Sequence, residues 1–162
     1  MKTTTKTRGR NGHVDFADLA LDECLDCMCY EFRKTARVVI NFYDDALKSA
    51  DIKSNQFLIL VAVATMQSTN FKTLAEFLGI DQSTLARNLV TVEKQNFVTV
   101  KPGKNKREKI ITLSRKGKQK LASTFPLWQK AQETLVEGIG ADRWQKMKAE
   151  MAEVVAAARE HE

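Results

Sequence analysis

Histidine is nearly absent from this 162-residue sequence, and the two present, His13 and His161, lie near the termini. The middle of the chain thus has no histidine for acid–base work, and no His–Cys zinc pattern can be written. A phosphate-binding P-loop, a dinucleotide glycine pattern and a nucleophile elbow are missing too. These absences argue against an enzyme, and no cofactor is expected. Aromatic residues make up only 7% of the chain. The longest apolar run, Phe57 to Ala64, is far short of a bilayer span, so no membrane partner is expected. Cysteine occurs three times, at Cys24, Cys27 and Cys29, an odd number that does not make a disulfide framework.

What the chain does have is positive charge, and it is concentrated. Formal net charge is +6, yet the segment Lys101 to Lys120 alone carries +8, with Glu108 its only acid. The rest of the chain is slightly acidic. A basic balance favours nucleic acid or anionic surfaces, and its focusing on one segment points to a localised contact. Residues 1–15 are polar and basic, with no apolar stretch after them. They read as a disordered basic arm rather than a signal peptide, and the chain is expected in the cytoplasm.

Periodicity organises the remainder. Leu25, Met28, Phe32, Ala36, Val39, Tyr43 and Leu47 recur at helical spacing and predict one long helix over 22–49. Its apolar stripe is wider than a small domain needs, which suggests a partner surface. Ser54 is a candidate N-cap for a second helix, buried on all sides over Phe57 to Ala64. Lys72 to Leu78 is a short amphipathic helix stopped by Gly79. Asp81 caps the next, which runs to about Asn96 with Leu85, Leu89 and Val92 facing inward. Two short helices around a tight turn make a helix-turn-helix. Two short β-branched segments follow, Phe97 to Val100 and Ile110 to Leu113, joined by a basic loop containing Pro102 and Gly103. A helix-turn-helix followed by a basic hairpin is a winged helix. Ser114 caps a long helix reaching about Glu137, with a kink expected at Pro126 and an end at Gly138 and Gly140. A last helix begins at Asp142, with Trp144, Met147, Met151, Val154 and Ala158 at coiled-coil-like spacing. The fold class is mainly α with a small β-hairpin.

The stretch Leu74-Ala-Glu-Phe-Leu-Gly-Ile-Asp-Gln-Ser-Thr-Leu-Ala-Arg-Asn-Leu89 resembles the helix-turn-helix of the MarR family of transcription regulators. The wing follows at that family's spacing and ends in Leu113-Ser-Arg-Lys-Gly117, similar to its "L-T-x-x-G". Ala36 to Leu47, Ile52 and Asn55-Gln-Phe57 resemble its first helix and the entry to its second, and Pro126 to Gln132 fits one branch. The resemblance spans about Cys29 to Ala158. It implies a single domain over 16–162, with the winged helix at 51–115 and dimerisation helices at 16–50 and 116–160. It implies a homodimer on double-stranded DNA, and a pocket between the two regions that takes a small-molecule effector. In the wing, Asn105 and Arg107 stand where the family usually carries Asp-x-Arg. The amide can still accept a hydrogen bond, without charge assistance.

Candidate site residues follow. Gln82, Ser83, Thr84, Arg87 and Asn88 occupy the outward side of the recognition helix, where Gln and Asn can pair with adenine and Arg with guanine. Lys104, Asn105, Lys106 and Arg107 form the wing tip, suited to phosphates and a narrow minor groove. Tyr30, Arg33 and Arg37 are candidates for an anionic effector, against ordinary surface salt bridges. Trp128 and Trp144 fall on apolar stripes and read as packing residues. Cys24, Cys27 and Cys29 are either small half-buried residues in a dimer helix or a thiol sensor or soft-metal site near a helix start. The functional expectation is a regulator, in the repressor sense, of a pseudo-palindromic operator. The competing reading is an architectural or protein-interaction winged helix without sequence preference.

Overall fold

The computed structural model describes residues 16, 19–103 and 109–160. The chain divides into two units, Met1–Val39 and Ile40–Glu162. The boundary falls inside the first long helix. In the first unit, Leu21–Cys24 form a single 3-10 turn, and α1 (Met28–Leu47) begins only after it. The expected start at Asp22 is thus displaced by six residues. The Cys27 sulfur accepts the Tyr30 N–H at 3.3 Å, which meets one of the donors that a helix start leaves unpaired. Every described residue from Phe16 to Asn41 is exposed.

The second unit holds the core. α2 (Ser54–Met66) buries Phe57, Ile59, Leu60, Ala62 and Val63, as its all-apolar sequence predicts. Its N-cap is Lys53 rather than Ser54, since the Lys53 carbonyl accepts the first helical N–H, from Phe57 at 2.9 Å, while the Asp44 carboxylate, ten residues upstream, accepts the Ser54 N–H at 2.7 Å. β1 (Thr69–Asn70) leads into α3 (Phe71–Leu78), where the Asn70 side chain accepts the Thr73 N–H. Gly79 ends α3 at φ 64, the left-handed conformation in which glycine carries no penalty. α4 (Gln82–Lys94) follows, capped by Asp81, and buries Leu85, Leu89 and Val92. β2 (Val98–Pro102) and β3 (Lys109–Leu113) pair antiparallel, with Val100 opposite Ile111. The sheet has three strands in the order β1-β3-β2, since Thr69 pairs with Ile111 and Asn70 with Ile110. α5 (Arg115–Ile139) starts at the Ser114 cap and continues without interruption through Pro126 and Gly138. Gly140, at φ 87, ends it, and α6 (Ala141–Arg159) follows with no fully buried residue.

These elements make a mainly helical winged helix. Leu47, Leu60, Leu74, Leu85, Val92 and Ile111 are all fully buried in one cluster, so α2, α3, α4 and the sheet share a core. The Phe57 ring stacks on Trp128 of α5 with centroids 6.1 Å apart, which puts Trp128 in the packing role expected of it. No described helix is long and apolar enough to cross a membrane.

Candidate nucleic-acid interface

α4 sorts its residues by side. Leu85, Leu89 and Val92 anchor it on the core. Gln82, Ser83 and Arg87 are exposed, and Thr84 and Asn88 are half-exposed. A helix held by three buried aliphatic residues cannot roll without exposing them, so its polar side is fixed in direction.

That polar side is also wired internally. Asp81 Oδ1 accepts the Thr84 N–H at 2.9 Å and the Ser83 hydroxyl, and Oδ2 accepts the Thr84 hydroxyl at 2.7 Å. With its proton committed to Asp81, the Thr84 Oγ1 accepts from Arg87 Nη2 at 3.0 Å. The hydrogen bonds from the Ser83 side chain, the Thr84 side chain and the Thr84 backbone hold the Asp81 carboxyl well below the usual carboxylate range. Asp81 is therefore an anion at neutral pH, and it orients Thr84, which orients Arg87. A second contact arrives from α2: Asn55 Nδ2 donates to Asn88 Oδ1 at 3.0 Å. Composition and spacing gave no reason to single out Asn55 in this role; only the fold brings residues 33 positions apart together.

The wing-tip residues Lys104, Asn105, Lys106 and Arg107 lie outside the described residues. Not every cation of the basic segment is free to face a ligand. The Lys116 and Lys120 ammonium groups lie over the Phe97 ring, 5.3 and 5.4 Å from its centroid, and Lys120 also donates to the Ala50 carbonyl at 2.8 Å. These two lysines fasten α5 to the start of the wing.

An open groove of about 850 Å³ lies between the end of α2, β3 and α5. Val63, Leu113, Leu121 and Phe125 line it, with Lys118 as its charged lining residue. Tyr30, Arg33 and Arg37 belong to the other unit and are exposed on α1. Lys34 stands over the Tyr30 ring at 5.7 Å and pairs with Glu31 at 3.6 Å.

Cys24, Cys27 and Cys29 are free and exposed in the single chain. Cys24 sits in the 3-10 turn and Cys27 just before α1, so the two do not share one face of a continuous helix. Among the described residues no three histidine, cysteine, aspartate or glutamate side chains are placed to hold a metal ion.

Comparison with known proteins agrees with this architecture. The MarR family model matches residues 52–109. The HTH-type transcriptional regulator SarZ of Staphylococcus epidermidis is 26% identical over 123 residues, covering 69% of this chain and 83% of SarZ. The M. tuberculosis transcriptional regulator MosR, solved in complex with DNA, is 30% identical. That likeness covers 82% of this chain and 96% of MosR, with a TM-score of 0.76. A MarR variant from E. coli, complexed with operator DNA, superposes with a TM-score of 0.75 over 85% of this chain and 99% of its own. At 19% identity it speaks to the fold alone. With the family model on its helix-turn-helix and wing, and a relative of this identity over most of its length, the chain belongs to the MarR family.

Proposed function

We propose that this protein is a DNA-binding transcription regulator that acts as a homodimer on a pseudo-palindromic operator, most simply as a repressor. The carrying observation is α4: a capped helix anchored by Leu85, Leu89 and Val92 that presents Gln82, Ser83, Thr84, Arg87 and Asn88 on its open side. Such a helix fits the major groove, with its N-terminal residues against base edges. MosR, 30% identical and solved in complex with DNA, supports the same reading. Lys104, Asn105, Lys106 and Arg107 would follow the groove edge from the wing, with the lysines on phosphates.

A second copy of the chain is the partner that α1 and α6 call for. Met28 is 66% exposed and Phe32 45%, on the part of α1 before Phe42, where every residue is exposed. Trp144, Met147, Met151 and Val154 of α6 are only half-buried. Apolar surface on this scale is removed from water by association.

The test is selection of bound duplexes from a random pool, then affinity measurements on the enriched site. Arg87→Ala is expected to weaken binding by about 1–3 kcal/mol and to relax one base position. Arg107→Ala should weaken binding across most sequences. Equal affinity for enriched and random duplexes would favour the architectural reading instead.

Control of binding would come from a small molecule in the α2–β3–α5 groove, or from chemistry at the thiols. The exposure of all three cysteines supports oxidation. Operator affinity is expected to change after mild peroxide in the parent and to stay constant in a Cys24→Ser/Cys27→Ser variant. A soft-metal arm in the same series tests the alternative. Unchanged affinity throughout would leave the groove as the place for an effector.

A further inference from the structure

We propose that Asn55 is a positioning residue for Asn88, and that Asn88 therefore offers amide hydrogens rather than its carbonyl to a bound duplex. This rests on the reading of α4 as the DNA-reading helix. The two ends of an asparagine amide are distinguished only by the groups that meet them. Here the chain of contacts starts from a group with fixed polarity. The Gln56 backbone N–H can only donate, and it meets Asn55 Oδ1 at 2.8 Å. The other end of Asn55 is then its Nδ2, and this lies 3.0 Å from the Asn88 side chain. A donor at that distance requires an acceptor, so Asn88 turns Oδ1 toward α2. Its Nδ2, with two hydrogens, is left for the ligand.

The consequence is a specificity different from the one the residue type suggests. An asparagine that reads adenine does so with both ends, donating to N7 and accepting from the N6 amino group. On α4 that second bond would require sharing or breaking the Oδ1 contact with Asn55. A donor-only Asn88 instead suits an acceptor: guanine O6 or N7, thymine O4, or a phosphate oxygen. Asn55 is exposed and its side chain touches α4 through this one hydrogen bond, so removing it leaves the core intact.

The experiment uses a duplex enriched from a random pool, with each base pair of one half-site replaced in turn by the other three. Affinities are measured for the parent, Asn55→Ala, Asn88→Ala, the double variant and Asn55→Asp. The position at which Asn88→Ala flattens the base preference is the one Asn88 reads. If Asn88 contacts a base, the parent is expected to prefer guanine or thymine there by roughly fivefold or more. Asn55→Ala should erode that preference, and Asn55→Asp should turn it toward adenine or cytosine, because its second carboxylate oxygen would accept from Asn88 Nδ2 and leave Oδ1 to accept from a base amino group. If Asn88 contacts a phosphate, Asn88→Ala weakens all duplexes alike, and the Asn55→Ala and Asn88→Ala losses are non-additive by at least about threefold. An adenine preference in the parent, or additive losses, would overturn the inference while leaving the DNA-binding reading standing. No enriched duplex at all would overturn both.

Discussion

Gly117→Ala is expected to cost about 3 kcal/mol or more of stability, lowering the melting temperature by roughly 6–12 °C. A Cβ at Gly117 would lie 1.8 Å from the Phe97 carbonyl oxygen and 2.8 Å from its carbon. This oxygen cannot swing aside cheaply. It accepts the Ser114 N–H at 3.0 Å, and the Ser114 hydroxyl donates to the Asn96 carbonyl at 2.6 Å while accepting the Gly117 N–H at 2.9 Å. Asn96 itself holds a φ of 58°. One alanine methyl therefore presses on the knot that joins the end of α4 to the start of α5. Helix propensity acts in the opposite direction, since alanine is favoured over glycine by about 1 kcal/mol in a helix. The steric term wins because the obstructing atom is backbone. Gly138→Ala is the control: nothing lies within 4 Å of its Cβ, and it too is helical. It is expected to be neutral or to stabilise by up to about 1 kcal/mol. Thermal unfolding of both variants checks this, and an unchanged melting temperature for Gly117→Ala would contradict the packing described.

Deleting the residues after Gly140 is expected to produce monomers or insoluble protein, and with them a loss of operator affinity of at least tenfold, the fold-change of about 1.4 kcal/mol. α6 contributes no fully buried residue to its own chain, and Val155 is 49% exposed. Its half-buried positions Trp144, Met147, Met151 and Val154 repeat at the spacing that buries against another helix. A two-fold operator binds a dimer as one unit, so separated protomers lose the gain from tethering the second recognition helix to the first. Light scattering gives the mass, and binding to the enriched duplex gives the affinity. A soluble truncated dimer with parental affinity would show that α1 suffices.

Much of the fold is legible in local sequence. Asp81 before Gln82, with Leu85, Leu89 and Val92 at helical spacing, specifies α4 and its cap, because both signals act within a few residues. The wing strands lie within two residues of their expected limits for the same reason. What was not legible depends on distant partners. β1 is two residues long, too short to show alternation, and exists because Thr69 meets Ile111. At the start of α2 the Ser54 N–H is met by Asp44 from ten residues away, a partner that local sequence does not show. The long first helix starts six residues later than its apolar spacing predicts, since Leu25 keeps that spacing but lies in the turn between the 3-10 segment and α1. In the candidate site, Gln82, Ser83, Thr84, Arg87 and Asn88 are candidates legible in the motif, while the Asn55–Asn88 contact is not, because only tertiary structure brings the two together. Charge counting likewise treated Lys116 and Lys120 as part of one basic segment, whereas both ammonium groups lie on the Phe97 ring.

In the proposed complex two copies of this chain read a palindromic site with paired α4 helices. The direct measurement is a high-resolution footprint on an enriched duplex, combined with the stoichiometry of the complex. Two protomers per site are expected, with two protected half-sites whose centres lie about 34–36 Å apart, one helical turn along the duplex. Protection of one short half-site by a single protomer would contradict it.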